Sequence, residues 1–148
     1  MLEKNVIQYI GFANTYDENG NADGFQFRMR LNYYRGVWLS QLRIGSVIVD
    51  DEVFTPDSGL VTWIINGVEY TPAEVMENNK AFWNMNETCT VRVKKAGGLA
   101  QGYHDVKARW AFSSSYMPPF MDQFEDNDEG FAFSMDGGRL KSRRMLMV

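Results

Sequence analysis

At 148 residues the chain has the length of one domain, and a domain of that size buries about 70% of its unfolded surface, enough for a core without disulfides. Its net charge of −4, from 15 basic and 19 acidic residues, argues against nucleic-acid binding, where a basic excess is the norm. The lone Cys89 excludes an internal disulfide and suits a reducing cytoplasm, "MLEKN" lacks the basic start and apolar run of a secretory leader, and no stretch is long and apolar enough to span a membrane. An aromatic share of 14% fits strands and interfaces better than a helical bundle.

Residues 5–13, "NVIQYIGFA", read as a first strand, and "YDENGNADG" (16–24) as a surface loop dense in turn formers. Phe25, Phe27, Met29 and Leu31 then alternate with Gln26, Arg28 and Arg30, the period of a half-buried strand. A further strand is expected over 39–49, with Asp50, Asp51 and Glu52 as a solvated turn. In "LVTWIINGVEY" (60–70) Asn66-Gly67 sits between β formers and predicts a two-residue type I′ hairpin, whose central residues need positive φ. Thr71-Pro72-Ala73-Glu74 carries a cap, a first-turn proline and a capping-box glutamate, so one short helix is predicted over 72–79. "TCTVRVKK" (88–95) reads as a strand, "AGGLAQG" (96–102) as a connection, and "YHDVKARWAFS" (103–113) as a second alternating strand. His104, Val106, Ala108, Trp110 and Phe112 form its more apolar face, which is assigned inward. Pro118-Pro119 should stop a regular strand, five acids follow, and residues 131–148 suggest a hairpin around Asp136-Gly137-Gly138, its second arm rich in Arg and Lys. A lone hairpin is marginal and must pack on this domain or on a partner. These elements predict an all-β fold, an antiparallel β-sandwich or barrel-like domain with one short helix, covering 1–148, with 117–148 as an interface hairpin or tail.

The residues supply no set of catalytic groups. A zinc site wants several His or Cys at defined spacing, and the chain has one of each. Cys89 reads as a small buried side chain. His104 has an unperturbed pKa suited to acid–base work near neutrality, but its place on an apolar strand face favours a hydrogen-bonded core or interface histidine. "SSS" (113–115) lacks a nucleophile elbow, the glycines at 97, 98 and 102 lack a Walker lysine, and "DQFEDNDEG" lacks the sixth-position glycine of a calcium loop. What remains is "LNYYRGVWLSQL" (31–42), where Tyr33, Tyr34, Arg35, Gly36 and Trp38 break the alternation. Tyr, Trp and Arg are enriched at the energetic centres of interfaces, and rings beside an arginine also stack on flat ligands. The competing reading is a loop whose rings cover one end of the sandwich.

The order of segments resembles the β subunit of bacterial C-glycoside deglycosidases. The resemblance rests on Phe27-Arg28-Met29-Arg30-Leu31 running into Tyr34-Arg35-Gly36 and Leu39-Ser40, then on "VIVDDE", "WIINGVEYTPAEV", Trp83, "TVRVKKAGGLAQGYHDVKARWAF" and Tyr116, over roughly residues 25–119. It implies a small β-sandwich-like subunit that pairs with an isomerase-like barrel α subunit, in a cytoplasmic heteromer of several αβ pairs. It implies no cofactor in this chain, and a divalent manganese or magnesium ion in the α subunit. The pair would cleave the sugar–aglycone carbon–carbon bond of a 3-oxo-C-glycoside by elimination, the ketone making the neighbouring hydrogen acidic. The motif-matched Tyr34, Arg35 and Gly36, with Tyr33 and Trp38 added on chemistry, would then meet the α subunit near its substrate mouth. Two alternatives stand beside this reading: a carbohydrate- or aglycone-binding β-sandwich without a catalytic partner, and a stand-alone enzyme using His104.

Overall fold

The alternating stretch from Phe25 to Leu31 lies at the heart of one of two antiparallel sheets. The computed structural model describes residues 6–31, 36–112 and 140–148. In chain order the strands are β1 (Ile7–Tyr16), β2 (Ala22–Arg30), β3 (Val37–Trp38), β4 (Leu42–Val49), β5 (Glu52–Phe54) and β6 (Val61–Ile65). They continue as β7 (Val68–Tyr70), β8 (Phe82–Trp83), β9 (Thr88–Lys94), β10 (Gly102–Phe112) and β11 (Leu140–Met147), and one helix, α1, spans Pro72–Glu77. The first sheet has the order β1-β2-β9-β6-β7, the second β11-β10-β4-β5, and β3 pairs with β8 in a short ribbon. The fold is all-β, as the patterning predicts, and of the two architectures left open there the described strands form no closed barrel.

The inward faces of the two sheets share one core. Phe25, Phe27 and Met29 of β2 are fully buried, as are Val106, Ala108, Trp110 and Phe112 of β10, so the alternation assigns both strands correctly. Phe25 meets Phe54 edge-on at 5.8 Å, and Trp63 of the first sheet meets Trp110 of the second at 5.8 Å and 90°. Trp83 closes a three-indole cluster, 6.3 Å from Trp63 and 5.5 Å from Trp110. The edge-to-face pairs among these, Phe25–Phe54 and Trp63 with Trp83 and Trp110, contribute about 0.5–1.5 kcal/mol each beyond the area they bury, while Trp83 and Trp110 meet at a tilt of 40°. Cys89 is buried among these side chains, and burial pushes its thiol pKa up, so the group is an inert core filler.

Turn chemistry follows the sequence closely. Asn66 (φ 55°) and Gly67 (φ 79°) link the paired Ile65 and Val68, a two-residue turn with both centres left-handed. Asp50 (φ 49°) and Asp51 (φ 71°) make the same kind of link between Val49 and Glu52, a conformation that aspartate tolerates better than most residues. The Thr71 hydroxyl accepts from the Glu74 N–H at 3.2 Å, and the Glu74 carboxylate accepts from the Thr71 N–H at 3.0 Å. These reciprocal bonds start α1 where the capping box predicts.

Several boundaries differ from those predicted: β2 already starts at Ala22, inside the expected loop, and α1 stops at Glu77, where the Asn78 N–H bonds the Val75 carbonyl at 3.1 Å. The first strand reaches Tyr16, because Asp17 gathers the N–H groups of Asn19 and Asn21 on one carboxylate oxygen and folds the loop tightly; Tyr16 then pairs with Ala22. Within β1 the register jumps from Gln8↔Arg28 to Ala13↔Gln26, so the intervening stretch bulges out of the ladder. Residues Leu39–Gln41 form a 3-10 turn instead of the start of a strand, since the Gln41 side chain accepts from the Trp38 N–H at 2.9 Å. The second arm of the C-terminal segment is β11, which pairs with β10 from Arg109↔Leu140 to Gly102↔Met147. Its proposed turn at 136–138, the first arm, the serines at 113–115, the prolines at 118–119 and the acidic run lie outside the described residues. Among the described residues no helix is long and apolar enough to cross a membrane.

Candidate functional site

Two ends of the sandwich carry the residues singled out by chemistry. β10 pairs with β4 from Phe112↔Leu42 at one end to Val106↔Val49 at the other. Trp38 lies just before the first end, and His104 just beyond the second.

At the first end β2 finishes at Arg30, and the chain returns as β3. Tyr33, Tyr34 and Arg35 lie outside the described residues. Gly36 is where the chain comes against β8. A Cβ there would stand 2.3 Å from the Phe82 ring and 2.4 Å from the Trp83 carbonyl oxygen, so no side chain fits. The close approach sets the register Val37↔Trp83 and Trp38↔Phe82. Consecutive residues of a strand face opposite ways, so Val37 and Trp83 enter the core while Trp38 and Phe82 face out. The outer pair stack edge-on at 5.1 Å and 72°, 48% and 38% exposed respectively. The ribbon is fixed from three sides. The Asn66 side chain donates to the Phe82 carbonyl at 2.8 Å, the Leu39 N–H donates to Ala81 at 3.1 Å, and the Trp83 indole N–H donates to Glu87 at 2.9 Å. The result is an exposed aromatic pair on a rigid support, the composition of an interface anchor. Phe82 escapes a reading of the sequence, although "FW" in a strand requires one ring of the two to face out.

At the other end His104 bridges three segments. Its Nδ1 contacts the Asp50 carboxylate in a short ion-pair contact, its Nε2 lies 2.7 Å from the Ala100 carbonyl, and the Phe12 ring packs edge-on at 6.4 Å. Asp50 also accepts from the Asp105 N–H at 2.9 Å. Burial lowers the imidazole pKa, but the Ala100 and Asp50 hydrogen bonds and the Asp50 charge outweigh it, so the net shift is upward. Burial likewise raises the Asp50 carboxyl, while bonds from His104 and Asp105 and the charges of His104 and Arg144 bring it below the usual carboxylate range. With an acceptor at each nitrogen the ring is suited to the doubly protonated form, which offers no lone pair for taking a proton from a substrate. Asp50, a plain turn residue by sequence, is thus half of a latch. The neighbouring connection is tied down too: Asn14 donates to the Leu99 carbonyl and accepts from the Leu99 N–H, both at 2.9 Å.

Among the described residues no group of three or more His, Cys, Asp or Glu could hold a metal ion. A shallow depression of about 390 Å³ beside α1 is lined by Tyr70, Glu74, Glu77, Asn78, Asn79 and Lys80. Its Glu74 is committed to the helix cap and Asn78 to the N–H groups of Lys80 and Ala81.

The family described as C-glycoside deglycosidase beta subunit matches residues 2–116. A relative from Eubacterium cellulosolvens, a C-glycoside deglycosidase beta subunit, is 44% identical over 149 aligned positions, covering 99% of this chain and all of the relative. A 3'-dehydrocarminate deglycosidase beta subunit from a Microbacterium species is 32% identical over 102 positions, covering 69% of this chain and 72% of its own length. Matched over most of its length by the family and from end to end by a relative of the same name, the chain belongs to the C-glycoside deglycosidase beta subunit family.

Proposed function

We propose that this chain is the accessory subunit of a heteromeric enzyme that releases a sugar from the aromatic aglycone of a C-glycoside. The reaction is an elimination on a sugar already oxidised to a 3-ketone: a base removes the acidified hydrogen beside the carbonyl, and the sugar–aglycone carbon–carbon bond breaks as the electron pair leaves with the aglycone. The base would belong to a larger subunit shaped like an isomerase barrel, which would also hold a manganese or magnesium ion able to act as the electrophile such an elimination needs. This chain contributes shape and contact area. The end-to-end identity of 44% with a C-glycoside deglycosidase beta subunit carries this reading. The geometry fits that division of labour in that the one histidine is held by acceptors at both ring nitrogens.

The loop 33–38 is the proposed contact with the larger subunit near its substrate mouth, with Tyr34, Arg35 and Gly36 as its centre and Tyr33 and Trp38 beside them. Gly36 seats the ribbon, and the Trp38–Phe82 pair gives the contact an apolar anchor. The test is to purify the chain alone, the isomerase-like protein encoded beside it alone, and the two together, and to assay cleavage of a 3-oxo-C-glycoside. Full activity is expected only from the pair, and undiminished activity from the barrel protein alone would overturn the reading. The exposed rings also suit a free-standing glycoside-binding module, which would respond to glycoside titration with no partner chain.

A further inference from the structure

Two Asn-Gly pairs stand in exposed turns, Asn19-Gly20 between β1 and β2 and Asn66-Gly67 between β6 and β7. In such a pair the glycine nitrogen can attack the asparagine side-chain carbon, because glycine brings no Cβ to shield it, and asparagine is among the heat-labile residues. The two amides differ in what they hold. Asn19 bonds through its backbone N–H to Asp17, and its side chain has no hydrogen-bond partner among the described residues. The Asn66 Nδ2 donates to the Phe82 carbonyl at 2.8 Å, 16 residues further along the chain. That bond ties the turn to β8, and so to the ribbon that presents Trp38 and Phe82.

Water reaches the turn freely, since Asn66 and Gly67 are exposed and a Cβ on Gly67 would meet nothing within 4 Å. Turn geometry is the brake. With φ 55° and 79° the pair fits a type I′ turn, whose first centre has ψ of about 30° and so holds the side-chain carbon away from the next nitrogen. Attack therefore waits until the hairpin opens. Opening is easy here, because β7 has three residues and is the outermost strand of its sheet, bonded to β6 on one side only.

We infer that Asn66 is a deamidation site, and that its conversion unties the ribbon carrying Trp38 and Phe82. In the opened turn the Gly67 nitrogen gives up its proton and bonds to the Asn66 Cγ. The Cγ–Nδ2 bond breaks, and ammonia leaves with that proton. Water then opens the cyclic imide at either carbonyl, which leaves aspartate or isoaspartate at position 66. An ionised carboxylate only accepts hydrogen bonds, so it cannot restore the bond to the Phe82 carbonyl. The turn itself tolerates aspartate, as Asp50 and Asp51 show in the like turn between β4 and β5. The test ages the full chain at physiological temperature in mildly alkaline buffer, beside a urea-unfolded sample, and maps positions 19 and 66 by peptide mass. The form acidic at 66, separated by anion exchange, is then compared with fresh protein and with Asn66→Asp by hydrogen exchange. Acid is expected at 66 in the folded chain, more slowly than in the unfolded one. Backbone amides of residues 37–39 and 81–83 should then exchange about threefold to tenfold faster, the loss of one hydrogen bond, while those of β9 and a chain acidic only at 19 stay as before. If Asn66→Asp fails to fold, the aged wild-type chain carries the comparison. An amide intact at 66 through many half-lives of the unfolded chain would overturn the inference, and so would ribbon exchange unchanged after conversion. Every readout uses this chain alone, so the accessory role stands or falls separately.

Discussion

The two ends of the sandwich solve opposite problems. At the His104 end, polar groups find partners in one another: imidazole with carboxylate and carbonyl, the Asn14 amide with the Leu99 backbone. At the Trp38 end Asn66, Gln41 and Glu87 tie down the ribbon, and two rings are left facing solvent. A closed end gains stability from its own contacts. The open end keeps apolar area at the surface, with Trp38 48% and Phe82 38% exposed. The difference teaches where this chain spends its rigidity: on its own integrity at one end, on presenting a surface at the other.

The contrast can be tested by substitution. Trp83→Ala removes the inward ring beneath the open end and should destabilise the chain by about 3–5 kcal/mol in chemical denaturation. Gly36→Val forces a side chain onto Phe82 and the Trp83 carbonyl, and a loss of about 1–3 kcal/mol is expected together with loss of complex formation. A Gly36→Val chain as stable as wild type would mean that the close approach does not shape the ribbon. Asp50→Ala strips the latch of its acceptor and should cost about 1–2 kcal/mol, a figure kept low because the carboxylate is half exposed.

Acidity separates the ends further. The raised His104 pKa contributes stability that is fully present below the unfolded histidine value of 6.5 and is lost as pH rises through the folded value. The lowered Asp50 pKa contributes stability present above its unfolded value of 3.8 and lost as pH falls through the folded value. The latch is therefore strongest between these limits, and denaturation midpoints of wild type and His104→Phe should converge as pH rises well above neutrality. A gap between the two that is constant with pH would show that the ring holds the segments by packing alone. The smallest expected effect on stability is that of Trp38→Ala, within about 0.5 kcal/mol for a side chain that faces solvent. Its effect on affinity for the larger subunit should exceed its effect on folding, and a variant that binds normally would remove Trp38 from the interface.

Much of this was legible before any coordinates. Period-two alternation in 25–31 and 103–113 assigned inward faces that the core confirms, because a strand flips side chains at each residue without regard to its neighbours in space. The Asn66-Gly67 turn and the Thr71 cap were equally local. The misses were of two kinds. Whether 39–41 is strand or turn depended on one nearby side chain, Gln41 bonding back to Trp38, while the partner of His104 lies 54 residues away in sequence. The pairing of Phe82 with Trp38 needed a ribbon between segments over 40 residues apart. Of residues 33–38, Gly36, Val37 and Trp38 fall among the described residues, so the roles of Tyr34 and Arg35 rest on the family pattern, that of Tyr33 on its chemistry, and all three on the proposed tests.

The placement of the four tryptophans makes the chain its own optical gauge. Three indoles packed within 5.5–6.3 Å of one another should couple their transitions, giving a near-ultraviolet dichroism signal that vanishes when the interior loosens. The fourth, Trp38, emits from a wet environment and should shift to the blue when a subunit covers it. Fluorescence and dichroism recorded on one unlabelled sample would thus report assembly and folding as two separate colours.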